Sequence, residues 1–235
     1  MRGYVDTRWG QLHFLATGSG EQTIVLLHET PLNHAAFQRL APLLSEKFRV
    51  VAFDTPGYGE SDSPAGPTTI EDYAKTFTEG LDAIGLDRIV LYGVHTGGRF
   101  GVHLAATLGA RVEGLAPGGA PFYTDEVREA KVVPAIPAFA DDSSHQLGIF
   151  EWEPAVYDPE ARSRPVAGIA HDPRTGYQAF HAVYTYQPAK YLGKTTCPVL
   201  LLSHPDDPLF EPDNRFKAGV ANARQVVVDV ERLPV

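Results

Sequence analysis

The hexapeptide GVHTGG, Gly93 to Gly98, follows the apolar run RIVLY and precedes a stretch with helical periodicity. A side chain on a sharp strand-to-helix turn of this kind is held out at the top of a sheet, and Gly93, Gly97 and Gly98 let the backbone close around it. The residue held out is His95. The chemistry within reach is that of an imidazole, acting either as a general base near neutral pH or as a nucleophile through a ring nitrogen. The backbone N–H of Thr96 falls at the start of the helix, where it can stabilise an oxyanion. Without chemistry, the same turn is a degenerate elbow that only packs.

The elements that must position His95 are legible from the apolar runs. TIVLLHE from Thr23, FRVVAFD from Phe48, RIVLYGV from Arg88 and CPVLLLS from Cys197 lack polar alternation, which predicts strands buried on both faces. RQVVVDV supplies a final strand. Between them lie helical patterns. Ile70, Tyr73, Ala74, Phe77, Leu81 and Ile84 recur at helical spacing, with Thr68 and Glu71 as a capping box. AAFQRLAPLLSE, GGRFGVHLAATLGARV and PDNRFKAGVANA read as further helices. This alternation predicts an α/β fold, a mostly parallel sheet with helices on both faces.

The rhythm breaks after Pro121 and resumes near Cys197. The expected division is a core of residues 1–121 and 196–235 with a cap insertion at 122–195, over the strand ends where such folds bind ligands. Phe150, Trp152 and Tyr184 offer apolar walls there, and His145 is placed to face the site, so a small-molecule pocket is expected. Core packing of the cap is the competing use for each aromatic.

Composition narrows the partners. A net charge of −9 disfavours nucleic acid and anionic membranes. The single cysteine, Cys197, fits a reducing cytoplasm, and no run approaches a membrane span. Neither metal-ligand spacing nor a nucleotide-binding glycine motif is present, so no cofactor and no metal are expected.

Three blocks occur in order: LLHETP from Leu26, DTPGYGES from Asp54, and GVHTGG. Together they resemble the α/β-hydrolase superfamily, whose usual forms are H-G-x-P, D-x-x-G-x-G-x-S and G-x-S-x-G. The second block matches completely, and the other two depart at one position each. The TP after His28, together with DTPGYG and HTG, resembles a capped subgroup with histidine at the elbow.

The resemblance implies further roles. The loop after the first buried strand supplies the second oxyanion donor, which puts the Thr30 N–H beside that of Thr96. Glu29 stands where glycine is common and brings a carboxylate that can pair with His95 or act as acid/base itself. His28 is a candidate for substrate contact or for packing under the loop. The family's acid position after the CPVLLLS strand falls on Asp207, with Asp206 as the off-by-one alternative. The family's late histidine and final helix have no counterpart before Val235, so an ordinary Ser-His-Asp relay lacks both its serine and its histidine. His204 is near Asp207 in sequence, while His13, His34, His103, His171 and His181 read as surface or packing residues. A sheet face left open by the absent helix suggests a homodimer.

The expected function is hydrolysis of an ester, lactone or related electrophile in a small apolar molecule. His95 serves as base or nucleophile, with Glu29 and Asp207 as catalytic partners. The alternatives are a lyase or cyclase step in the same pocket, or a ligand-binding pseudoenzyme.

Overall fold

In the computed structural model, residues 1–120, 122–132 and 178–228 are described. The strands are β1 (Arg2–Thr7), β2 (Gly10–Thr17), β3 (Thr23–Leu27), β4 (Arg49–Phe53), β5 (Ile89–Val94), β6 (Val112–Gly118), β7 (Val199–Ser203) and β8 (Ala223–Val227). The helices are α1 (Leu40–Ser45), α2 (Ile70–Ala83), α3 (Thr96–Leu108), α4 (Asp125–Lys131), α5 (Gln178–Thr185), α6 (Ala189–Leu192) and α7 (Phe210–Gly219). Among the described residues the strands form one sheet in the order β1-β2-β4-β3-β5-β6-β7-β8, parallel from β4 to β8 and antiparallel at β1 and β2.

Burial on both faces explains the runs in β3 and β4, whereas β7, expected to be buried on both faces, leaves Leu200 exposed on one of them. Along β3, Val25 and Leu27 join the cluster with Phe53, Tyr73, Phe77 and Phe100, while Ile24 and Leu26 join Phe37, Ala41 and Val50 on the opposite face. α5 adds Ala179, Ala182 and Val183 to the first cluster, so this part of the interval 122–195 packs directly on the core.

Two local expectations are corrected. α2 is capped by Thr69, whose side chain accepts from the Asp72 N–H, one residue later than the expected Thr68 and Glu71. Glu71 instead accepts a hydrogen bond from Tyr191, at 3.1 Å. The stretch from Ala35 is split into a 3-10 turn over His34–Phe37 and then α1, with Pro42 in the first turn of α1, where its missing N–H costs nothing. β6 and the β1–β2 hairpin were not anticipated.

The D-x-x-G-x-G-x-S block is a brace. The buried Asp54 carboxylate accepts from His13 Nδ1 (2.8 Å), His34 N (2.6 Å), His34 Nδ1 (2.9 Å) and Glu60 N (2.9 Å). Ser61 donates to the Asp54 carbonyl and accepts from the His13 N–H. Gly59 has φ of +58°, and a Cβ there would lie 2.3 Å from the carboxylate, so only glycine lets the loop close over Asp54. Burial disfavours this carboxylate, but the hydrogen bonds from His13 and His34 outweigh it and hold its pKa below the usual range. Of the surface or packing places open to His13 and His34, both take packing ones, as parts of the brace. No helix among the described residues is long and apolar enough to cross a membrane.

Replacing Asp54 with alanine leaves the buried His13 ring, the half-buried His34 ring and two backbone N–H groups without their acceptor. The expected loss is about 3 kcal/mol of unfolding free energy in denaturant titration. A loss below about 1 kcal/mol contradicts the brace.

Candidate active site

Sheet register sets the site. Leu27 of β3 pairs with Gly93 of β5, so Glu29 and His95, each two residues further on, emerge level with one another. Val94 pairs with Gly118 of β6, and Gly118 with Leu202 of β7, which brings the loop carrying Asp207 to the same edge. Open α/β sheets bind ligands at this strand C-terminal edge, where the chain turns from one side of the sheet to the other.

His95 is the one non-glycine among the described residues with positive φ (47°), the strained elbow geometry that lifts a side chain off the sheet. Its N–H donates to the Gly118 carbonyl at 2.8 Å. The glycines are steric requirements: a Cβ on Gly93 would sit 2.3 Å from the Gly97 carbonyl, and one on Gly97 2.0 Å from that of Leu27. The first intrahelical bond of α3 is Arg99 N–H to His95 O, so the N–H groups of Thr96, Gly97 and Gly98 precede the helical ladder.

The imidazole lies between two carboxylates. Nε2 is 2.8 Å from Asp207 Oδ2, and Nδ1 is 3.0 Å from Glu29 Oε2. Each contact needs a proton between nitrogen and oxygen, and with both carboxyl groups ionised both protons belong to the ring, which is then an imidazolium. Burial works against that charge, but the hydrogen bonds to Asp207 and Glu29 prevail and push the pKa up to about 10. Burial likewise opposes ionisation of Asp207, and His95 overcomes it, holding the carboxyl below its usual value. Asp207 is fixed from its other oxygen by the Leu209 N–H at 2.7 Å. Asp206, the off-by-one alternative, is exposed. Side-chain exposure is 29% for Glu29 and 19% for Asp207, so Glu29 is the more accessible acid.

His28 is packed under the loop, the second of the two places open to it. It is 1% exposed, its Nε2 accepts from the Thr55 N–H, and its Nδ1 is 2.8 Å from the Glu29 carbonyl. Burial lowers its pKa, and both nitrogens are spent on holding the loop that carries Glu29 and Thr30. Tyr184 packs on Tyr123 with ring centroids 5.7 Å apart, and the Tyr123 phenol is close enough to Asp207 for their charges to interact. His145, Phe150, Trp152 and His171 lie outside the described residues. Beside Glu29, a cavity of about 210 Å³ is lined by Phe37, Tyr92 and Val94, enough for a short apolar arm.

Two positioning residues escaped the sequence reading. Gly119 has φ of +59°, and a Cβ there would lie 2.5 Å from the His95 ring and 2.9 Å from Asp207 Oδ2, so only glycine permits the ion pair. The glycine pair at the end of β6 was its one signal. Asp213 of α7 is fully buried, accepting from the Ala120 N–H at 2.7 Å and lying 2.6 Å from Ser203 Oγ. Burial raises its pKa to about 6 despite those bonds. It ties the exits of β6 and β7 together and gave no sequence signal beyond an acid in a helix.

One group among the described residues has ligand atoms close enough for a metal: His13, His34 and Asp54, all within 4.8 Å. Its hydrogen bonds to one another and to backbone N–H groups already account for it.

The sheet order, elbow and strand-edge site define an α/β-hydrolase-fold protein, and residues 22–132 match the family model described as alpha/beta hydrolase fold. The chain is 31% identical over 121 residues to haloalkane dehalogenase 2 of Mycobacterium tuberculosis, an alignment covering 51% of this chain and 42% of the dehalogenase. It is 33% identical over 167 residues to bifunctional epoxide hydrolase 2 of Mus musculus, covering 67% of this chain and 28% of that protein. The matches thus span less than half the length of these two relatives. The enol-lactonase of Burkholderia xenovorans LB400 superposes with a TM-score of 0.83 at 23% identity, covering 97% of this chain and 91% of that one.

The raised pKa of His95 has a stability consequence of definite sign. Unfolded, the ring titrates near 6.5; folded, near 10. Its contribution is full below pH 6.5, declines above it and is gone by about pH 10. Denaturant titrations of wild type should lose stability across that window, and His95→Gln should flatten the slope. Equal slopes contradict the ion pair.

Proposed function

We propose that the chain is a hydrolase of small electrophilic substrates, esters or lactones foremost, in which Glu29, His95 and Asp207 form one proton-sharing unit. The observation that carries this reading is the occupation of both His95 nitrogens by carboxylates, at 3.0 and 2.8 Å. A ring nitrogen so engaged has no lone pair for attack, which favours acid/base work over an imidazole nucleophile. Water is then the nucleophile. Glu29 accepts its proton as the oxygen adds to the carbonyl carbon, and Asp207 holds the imidazolium that orients Glu29. The Thr30 and Thr96 N–H groups receive the oxyanion. Collapse of the tetrahedral adduct breaks the carbon–oxygen bond, the proton on Glu29 passes to the departing alkoxide, and acid and alcohol leave. The hydrolases and dehalogenase among the relatives support hydrolysis at an electrophilic carbon.

A second reading, a lyase or cyclase step, is favoured by one observation: the elbow presents no free nucleophile, and a base with an oxyanion site suffices for proton abstraction beside a carbonyl.

Hydrolysis of p-nitrophenyl butyrate tests the first reading. Glu29→Gln is expected to lower kcat by about 10²–10⁴-fold. The wild-type rate should hold steady from neutral pH and fall above about pH 10 as the imidazolium is lost. A rate that instead climbs through pH 10, or an adduct on the His95 ring, makes the neutral imidazole the reacting group and overturns the proposal. Absence of ¹⁸O from solvent water in a converted substrate selects the lyase or cyclase reading.

A further inference from the structure

Arg99 lies on α3 four residues beyond His95, one turn down the same helical face. It is 4% exposed. Among the described residues no carboxylate pairs with it, and its Nε has no hydrogen-bond partner. The guanidinium lies over the Tyr186 ring, 5.5 Å from the centroid. A π-face offsets only part of the cost of burying a charge, which is several kcal/mol when no counter-ion is supplied.

A second cation reinforces the first. Arg128 of α4 lies close enough to Arg99 for the two charges to repel. It is held by the Tyr184 carbonyl at 3.0 Å and by Asp125 at 3.2 Å, and its buried Nε also lacks a partner. Burial foremost, with Arg128 adding to it, brings the Arg99 pKa down to about 10, still charged at neutral pH. The Tyr123 phenol feels both Arg99 and Asp207, which links this pair of arginines to the acid that holds His95. In a chain of net charge −9, a buried guanidinium with no carboxylate partner among the described residues, and a second guanidinium near it, are the opposite of what the average surface would supply.

We propose that Arg99, backed by Arg128, is an anion subsite that receives a carboxylate of the substrate. The substrate class is thereby an ester or lactone carrying a free carboxylate. The fork of a guanidinium matches a carboxylate bidentately, and desolvation within the tyrosine-lined wall strengthens the bond. The identity of the electrophile rests on the hydrolase reading; the subsite itself does not.

Binding of benzoate, with benzamide as the uncharged isostere, tests the subsite without turnover. The wild-type chain should bind benzoate selectively. Arg99→Met should unfold no earlier than wild type, since no ion pair among the described residues is lost, and should bind benzoate about 10–100-fold more weakly. Glu29→Gln should keep benzoate affinity although its turnover is reduced. If Arg99→Met does not fold, Arg99→Lys decides, because it keeps the charge and loses the fork: weakened benzoate binding supports the subsite. Unchanged affinity in the Arg99 variants, or equal binding of benzamide, overturns it. Arg99-dependent benzoate binding in a chain that hydrolyses no ester sinks the hydrolase reading and leaves the subsite standing. Ester turnover with Arg99-independent benzoate binding does the reverse.

Discussion

The site depends on one constraint: an imidazole cannot make hydrogen bonds to two carboxylates unless it carries two protons. His95 meets Glu29 on one nitrogen and Asp207 on the other, so the positive charge is built into the geometry. The three groups together hold one negative charge rather than two. Each carboxylate is tolerable in its half-buried position because the ring is cationic, and the ring is cationic because both carboxylates are there. Removing any member changes the protonation of the others, which is why the unit has to be treated as coupled.

The rest of the fold serves that arrangement. β3 and β5 are neighbours in register, so Glu29 and His95 rise side by side. The elbow glycines allow α3 to start immediately beneath the ring, and Gly119 leaves the gap through which His95 meets Asp207. His28 spends both nitrogens on the loop beneath Glu29, and Asp54 spends its carboxylate on the adjoining loop through His34. The buried His28 and the half-buried His34 are thus structural, while the strained and partly exposed His95 carries the charge.

Much of this was legible in the sequence. The buried strands announced themselves as unbroken apolar runs, because a strand covered on both faces has no polar side. The ordered motifs carry Glu29 and His95, and the acid position after the CPVLLLS strand falls on Asp207, so all three could be named before any geometry was known. The remainder was illegible for physical reasons. β6 contains Gly114, Pro117 and Gly118, residues that normally punctuate turns, and it is strand only because β5 and β7 flank it. Thr69 displaced Thr68 as the helix cap because cap choice turns on a single residue of phase. That both nitrogens of His95 are engaged, that Gly119 must lack a side chain and that Arg99 is buried with no carboxylate partner among the described residues are facts of distance between segments far apart in the chain.

The central claim is the doubly protonated state of His95, and ¹⁵N-detected NMR of the imidazole reads it directly. The account predicts that Nδ1 and Nε2 both carry a proton at pH 7 and that the ring loses its charge only near pH 10. A ring that is neutral at pH 7, with one nitrogen protonated and a midpoint near 6.5, contradicts it.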